Sequence, residues 1–518
     1  MIPTEELLPK LKNEVSSFLH ELNCHSEAHV DKFVSKIAKI VGIELTEDED
    51  KAESKHPMDE ASDESILELL EAQKLKHRLL EEQISSKERA VAIRRAFIAK
   101  QSGGDLGDLP YKDYDYEKIY KTCCENPIGY VPIPVGCAGP LTVDKNTFFV
   151  PMATTEGALI GSVNRGCKAI QQSREGGVKA TVYGDKMARA PMVSFDSVDR
   201  AEEFYEYMKD EKTFQLCKKE FETTTRFGKL VKIEAVSDCT DVILRFCATT
   251  GDAMGMNIVT KGVEHVLDYL KVKFPDMDVV VSSNFCTDKK TSHVNLMEGR
   301  GKSVKAWCTI PKEVVKSVLN TSVEKMVAVS ILKCQKGSTM AGSVGGNNCH
   351  AANMVAAMFI VLGQDPAQVV ESSMCMTSLK ESPEGDLIVS CRMPCMEVGT
   401  VGGGTSLKAQ KAALEMLKCA GGHLTEYAGN AKQLAKIICA TVMAGEISLL
   451  ASLHTGMLAK SHMKLNRSKV NFEEPVKPQP AVSTSQISAT LRLERTSAKD
   501  PSRKDVLEIK ANQCNHML

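Results

Sequence analysis

The sequence predicts an α+β protein in which a smaller βαββαβ unit, the ferredoxin-like arrangement, is inserted into a larger, mainly helical domain. Three observations carry this reading. Between 191 and 282, strand-like and helix-like segments alternate in the order β-α-β-β-α-β. On either side, 125–190 and 283–472 are rich in Gly, Ala, Met and small polar residues, as closely packed helices with buried turns would be. A chain of 518 residues is also long enough for two or three cores.

In chain order, residues 1–64 read as an extension closed by the charged, apolar-poor stretch "TEDEDKAESKHPMDEASDE", a flexible linker. Residues 65–124 read as a small helical domain, with leucines at helical spacing from Ile66 to Leu80 and a second helix over Lys87 to Lys100. In the inserted unit, 191–282, "PMVSF" supplies a strand, 198–220 a charged helix, and "KLVKIEAV" with "DVILRFCAT" a hairpin. Residues 256–270 follow as an amphipathic helix with Met256, Val259, Val263, Val266, Leu267 and Leu270 on one face, and "DVVVSSN" closes the unit as a strand. The chain then re-enters the larger domain through "SNFCTDKK", 283–290. The polar tail, 473–518, is expected to be disordered.

Composition excludes several classes. With 43% hydrophobic and 25% charged residues and a formal net charge of -2, neither a nucleic-acid partner nor a solvating acidic chain is favoured. The 18 cysteines are scattered without a repeated CxxC, so they read as reduced thiols, and no metal site is expected. The N-terminus has no apolar core of a secretory signal. The longest apolar stretches, "MVAAMFIVLG" and "IICATVMAG", are about half of the roughly 20 residues a membrane helix needs. They read as buried helices, and the chain as cytoplasmic.

The familiar nucleotide fingerprints fail. No GxGxxG follows a strand, and "LMEGRGKS" ends like a phosphate-binding loop but has Leu296 where its first glycine should be. A nucleotide hydrolase is therefore disfavoured. "GDAMGMN", 251–257, joins a strand to a helix through small residues and suits a phosphate; equally, Asp252 reads as an N-cap. "GTVGGGT", 399–405, is a second glycine-rich loop. Asp365 before Pro366 has the form of an N-cap and first helical residue. Glu156, in "MATTEGALIGSVNRG", reads as a carboxylate in a small-residue helix, where burial demands a partner such as lysine. His462 reads as a solvated histidine near a helix end, and the adjacent Lys289 and Lys290 as a surface turn.

Together, "ENPIGYVPIPVGCAGP", "PMATTEG", "SVNRGCKAI", "GDAMGMN", "CTDKK", "EGRGKSV", "MAGSVGG", "HAAN", "GQDPAQ", "GTVGGGT" and "KSHM" resemble, in order and spacing over about 76–472, the eukaryotic class of 3-hydroxy-3-methylglutaryl-coenzyme A (HMG-CoA) reductases. The resemblance implies an oxidoreductase of the mevalonate pathway, with the larger domain binding substrate and the inserted one NADPH. It makes Glu156, Lys289, Asp365 and His462 the catalytic residues. Arg189, Ser282, Asn284, Asp288, Lys290, Lys333 and Asn353 match positions around the HMG group, and Ser162, Asn164, Arg165 and Lys168 the stretch near coenzyme A. Thr225, Arg226, Asp252, Ala253, Met254, Gly255, Met256, Asn257, Gly402 and Gly403 match cofactor positions.

It further implies a homodimer at minimum and a homotetramer beyond it. Ser468, in "MKLNRSKVNF", has the spacing of a site for an AMP-activated-type kinase. The chain departs from the animal pattern at "TSHV", at Asn320 and at Asn347, and the membrane domain that anchors animal members in the endoplasmic reticulum has no counterpart in this sequence, as in either a soluble form or an incomplete chain. The competing reading is a catalytically silent paralogue kept as a binding or regulatory scaffold.

Overall fold

The computed structural model describes residues 56–455. Most of the N-terminal extension and all of the expected tail lie outside the described residues. Helix α1 (Asp63–Glu71) starts inside the stretch read as linker because Ser62 caps it, its hydroxyl accepting from the Ser65 amide at 3.2 Å. With α2 (Lys87–Ser102) it encloses a small core of Ile66, Leu70, Leu80, Ile84, Ala90 and Ile93. The leucines to Leu80 are thus shared between α1 and a following turn.

The hairpin β1 (Val135–Val143) and β2 (Asn146–Ala153) leads into α3 (Leu159–Gln171) and then β3 (Lys179–Arg189). Strand β3 pairs antiparallel with β8 (Gly301–Ile310) through residues 179–186, and with β6 (Asp241–Thr249) through Met187 to Arg189. Strand β4 (Met192–Ser194) continues along β6, with β5 (Lys229–Asp238) on its far side and β7 (Asp278–Val280) beyond β4. The order β7-β4-β6-β5, all antiparallel, is that of a ferredoxin-like unit.

The charged helix read over 198–220 is two helices, α4 (Val198–Lys209) and α5 (Glu211–Thr223). Asp210 breaks it with extended backbone, and its carboxylate caps α5 by accepting from the Lys212 amide at 3.1 Å. These helices and α6 (Met256–Lys273) bury Phe204, Phe221, Val259, Val263 and Val266 against the sheet.

The α+β class stands, with more strand in the larger region than its composition suggested. After α7 (His293–Glu298), β8 pairs antiparallel with β10 (Leu387–Met396), which pairs antiparallel with β9 (Cys375–Glu381), and both extend the sheet. Their mix of Cys, Met and small residues with Val, Ile and Leu reads as helix packing, but burial alternates along them, so one face is covered and the other is more exposed. The long α9 (Gly429–Thr455) packs against the sheet, and α8 (Ala351–Val361) packs on α9 and β2. Among the described residues, α9 is the one helix long and apolar enough to cross a membrane, which corrects the shorter length read from its sequence. Most of it, 89% of the apolar window, is buried inside the protein, where it serves as the core helix.

Candidate functional site

The loop between β7 and α7 is built in an unfavourable backbone. Asn284 (φ 66°), Thr287 (φ 55°) and Lys289 (φ 57°) all adopt the left-handed region, at roughly 1–2 kcal/mol each for a side chain other than glycine. Such strain persists only where surrounding contacts fix it. Two buried side chains do so. Asn295 donates from Nδ2 to the Thr287 carbonyl (3.1 Å) and the Lys290 carbonyl (3.4 Å), and its Oδ1 accepts from the Thr287 hydroxyl. Glu371 Oε1 accepts from the Lys289 backbone N–H at 2.8 Å.

The outcome is that Lys289 Nζ stands 3.3 Å from Asp365 Oδ2. Asp365 also accepts from the Ala367 amide at 3.0 Å, so it is an N-cap and an ion-pair partner at once. Lys290 turns back to the Asp288 carbonyl (3.2 Å), while Asp288 points inward to Arg300 at 3.1 Å and Gln368 at 3.4 Å. Ser282 Oγ lies 3.5 Å from Cys286 Sγ.

Beneath this loop sits a cluster that the sequence reading passed over. Arg300 is fully buried, with its Nη1 3.2 Å from Glu371 and 2.5 Å from Glu397, both also fully buried. Burial pushes the carboxyls of Glu371 and Glu397 above their ordinary values. A signal was present in "EGRGKS": Arg300 lies between Gly299 (φ 75°) and Gly301 (φ 74°), and a Cβ at Gly301 would stand 2.6 Å from the Met396 carbonyl oxygen. The lysine of the same motif, Lys302, cradles no phosphate. It is buried in β8, paired with Asp185 at 2.6 Å and donating to the Gly251 carbonyl at 3.1 Å.

Glu156 differs from expectation. It precedes α3, separated from it by the left-handed Ala158 (φ 74°), and is exposed; its partner is Asn353 Nδ2 at 3.4 Å, not a lysine. Asn353 also meets His350 Nδ1 at 3.2 Å. Three of the residues matched to the coenzyme A stretch are engaged within the chain. Ser162 Oγ lies 2.9 Å from Ser448 Oγ, and Asn164 accepts from the Gly139 amide at 2.8 Å. Arg165 donates to Ser448 and Ser452 and thereby joins α3 to α9. Lys168 is exposed on α3, Lys333 is carried on a π-helical turn, Ile331–Gly337, and Arg189 donates to Thr260 Oγ1 at 3.0 Å.

The segments matched to the cofactor converge. Loop 251–257 meets loop 399–403 through a bridge between Ala253 and Val401 and a 2.8 Å bond from the Thr400 amide to the Asp252 carbonyl. Asp252 is no cap of α6, whose N-cap is Gly255 (φ 92°). Its carboxylate instead accepts from the amides of His423 (2.7 Å) and Ala431 (2.8 Å). The Met254 amide lies where a Cβ on Gly399 would be, 2.4 Å away, so these backbones touch closely. Gly402 and Gly403 face open space. Met256 is buried with its Sδ 2.8 Å from Arg300, and Asn257 follows it in the first turn of α6.

Thr225 Oγ1 accepts from the Phe227 and Gly228 amides, both at 3.1 Å, and Arg226 beside it is exposed over the Phe227 ring. The Tyr427 hydroxyl donates to the Phe227 carbonyl at 2.7 Å, and Gly251 lies against the Tyr427 ring. A helix N-terminus, an open glycine backbone and a free guanidinium fit a phosphorylated dinucleotide. His462 and Ser468 lie outside the described residues.

The hydroxymethylglutaryl-coenzyme A reductase family model matches residues 90–467. The 3-hydroxy-3-methylglutaryl-coenzyme A reductase of Drosophila melanogaster is 50% identical over 398 residues, 76% of this chain and 43% of that protein. Reductase 1 of Dictyostelium discoideum is 46% identical over 430 residues, covering 83% and 78%. The chain thus spans less than half of the first relative and about three quarters of the second. A 3-hydroxy-3-methylglutaryl-coenzyme A reductase structure from Streptococcus pneumoniae shares the fold, with a TM-score of 0.51 at 17% identity, over 76% of this chain and 97% of that one. A class II structure from the same organism, described as bound to NADPH, gives 0.51 at 17%, over 77% and 99%.

Proposed function

The chain belongs to the hydroxymethylglutaryl-coenzyme A reductase family, and from that premise we propose that it reduces the thioester of HMG-CoA to mevalonate with release of coenzyme A, at the head of isoprenoid and sterol synthesis. The observation that carries the reading is the Lys289 to Asp365 pair at 3.3 Å, presented on a strained loop clamped from below. NADPH supplies the hydrides, one per molecule, so two are used in succession.

The protein's own residues then do the following. Lys289 donates to the carbonyl oxygen as it gains charge, a contribution of about 3 kcal/mol for one well-placed donor. Asp365, beside it, favours the charged ammonium. Glu156 delivers a proton to the aldehyde oxygen, and Asn353, which reaches its carboxylate, holds it in place. His462 protonates the departing coenzyme A thiolate. Arg189, Lys290 and Lys333 offer cations to the substrate's free carboxylate, with Ser282, Asn284 and Asp288 around it. The convergent 225–226, 252–257 and 402–403 segments hold the cofactor, with Arg226 reading its 2′-phosphate.

The two parts of the site are separated within one chain. Glu156 is held near the start of α8 by Asn353, whereas Asp365 and Lys289 lie past its other end, after about 12 Å of helix between Asn353 and Val361 and a further turn. That separation supports a homodimer, and from it a homotetramer, in which two copies complete each site. Exposed Ile331, Leu332 and Met340 flank Lys333 and suit such a contact. The same reading places the enzyme in the cytoplasm and makes Ser468, six residues from His462, a site where phosphate would slow turnover. The presence of Glu156, Lys289, Asp365 and His462 together argues against a silent scaffold. Purified protein given HMG-CoA should oxidise NADPH with stoichiometric release of coenzyme A. No oxidation, or an undiminished rate in Lys289→Ala, overturns the assignment.

A further inference from the structure

The Arg300 cluster has too few cations. One guanidinium faces three carboxyl groups, those of Asp288 (3.1 Å), Glu371 (3.2 Å) and Glu397 (2.5 Å). Carboxylate oxygens of all three come within 4.8 Å of one another, and the guanidinium occupies the place a metal ion would need. Arg300 Nη2 donates to the Ala188 carbonyl (3.3 Å) and meets Met256 Sδ, while the buried Nε has no partner among the described residues.

Glu371 and Glu397 are both fully buried, and each keeps one oxygen, Oε2, without any other hydrogen-bond partner. Two anions cannot be held at such a distance in a dry interior, whereas two carboxyls sharing a proton satisfy each other. The Cys395 thiol is the further titratable group close to Glu397 and Arg300, and burial holds it protonated. Among the described residues, no further group in reach adds the missing positive charge.

We infer that Glu371 and Glu397 form an acid pair holding one proton over Arg300, and that Glu371, accepting from the Lys289 amide, is the positioning residue that aims the Lys289 ammonium. The geometry is consistent throughout. The pair's net single charge balances Arg300, which leaves Asp288 free to be held by its edge and by Gln368. The Glu371 oxygen that takes the Lys289 N–H at 2.8 Å is the one facing Arg300. Glu371 accepts from two donors, the Lys289 amide and Arg300, and Glu397 from Arg300 alone, so Glu397 is the proton's host.

This inference rests on Lys289 being the reacting cation, and its test separates the two. The full-length chain is compared with Glu371→Leu, which removes the acceptor, Glu397→Gln, which replaces a neutral acid by a neutral amide, and Lys289→Met. Infrared spectra at neutral pH should show a protonated-carboxyl stretch that Glu397→Gln abolishes, while that variant keeps its melting temperature. Glu371→Leu should lower kcat at least about tenfold while the KM for HMG-CoA stays within about threefold, because aim in the transition state is lost and ground-state binding is not.

Absence of the infrared band, or its persistence in Glu397→Gln, overturns the acid pair. A folded Glu371→Leu with unchanged kcat beside an inactive Lys289→Met overturns the positioning role alone. An active Lys289→Met defeats the reading of Lys289 itself. Should Glu371→Leu not fold, Glu371→Gln, which keeps an acceptor oxygen, takes its place: kcat retained supports positioning through that oxygen, and a loss of about tenfold or more in the folded Gln variant overturns it.

Discussion

Gly166 lies where α3 crosses α9, and replacing it by alanine tests how closely that crossing is specified. A Cβ there would stand 1.9 Å from the Ala444 carbonyl oxygen and 2.5 Å from its carbon. Real Cβ contacts essentially never fall under 3.0 Å, so the two helices must separate by about 1.1 Å at the crossing. The obstacle is backbone on a buried helix, with no side chain that can rotate away.

A gap of that size forfeits a quarter to a half of each dispersion contact it opens. Val163, Cys167 and Ile170 on α3 and Ala440, Val442 and Ala444 on α9 belong to the core it would disturb. The Arg165 to Ser448 bond at 3.0 Å would stretch as well. Overpacking of this kind costs about 3 kcal/mol, which in a chain of this size lowers Tm by roughly 3–4 °C. Thermal unfolding of the purified protein measures it. Since α3 also carries Lys168, the KM for HMG-CoA should rise while that for NADPH does not. A Gly166→Ala protein melting within about 1 °C of the parent would refute the reasoning.

Two further outcomes follow from the same structure. Asn295→Ala removes the clamp on Thr287 and Lys290, leaving buried groups unpaired at about 1–3 kcal/mol each; kcat should fall about tenfold or more, and an unchanged kcat in a folded variant contradicts the clamp. Stability should also respond to pH in a direction opposite to that of an ordinary paired carboxylate. Burial raises the folded-state pKa of Glu397 above its ordinary 4.5, so the folded chain binds the extra proton, and stability falls as pH rises above that value, by at most about 1.4 kcal/mol per unit for one proton. Melting curves across pH 5 to 8, values chosen to span roughly that window, should show this slope in the parent and a shallower one in Glu397→Gln; equal slopes rule it out.

How much of this was legible in the sequence depended on whether a residue acts locally. The βαββαβ order was readable because period-two and period-3.6 patterns are local, and the order of elements alone determined which strands pair. The single helix over 198–220 was misread because Asp210 looks like one more charged surface residue, although its extended backbone ends one helix and starts another. Glu156 was placed in a helix because Gly and Ala surround it, yet the left-handed Ala158 delays the helix start.

Arg300, Glu371 and Glu397 were missed for a different reason. They are 71 and 97 residues apart along the chain from Arg300, and nothing local marks a carboxyl that is buried by distant strands. For Asp365, the cap and the ion pair are both present, so the local reading was correct and incomplete. The glycines around Arg300 were the available hint, since positive φ on both sides of a charged residue implies a backbone that must approach something closely.

Strand β3 joins the two parts of one continuous sheet, pairing with β8 over its first part and with β6 over its last three residues. Mechanically it is a beam rather than a hinge. The inserted unit cannot swing about loose linkers on this side; it can rotate only by twisting a strand whose hydrogen bonds are anchored at both ends. Ala188, on the last stretch of that beam, gives its carbonyl to Arg300, which also holds Asp288 and Glu371. Torque applied where the 251–257 and 399–403 loops sit would therefore reach the Lys289 loop through one buried guanidinium, and the stiffness of that path, more than any flexible joint, sets how far these loops can move apart.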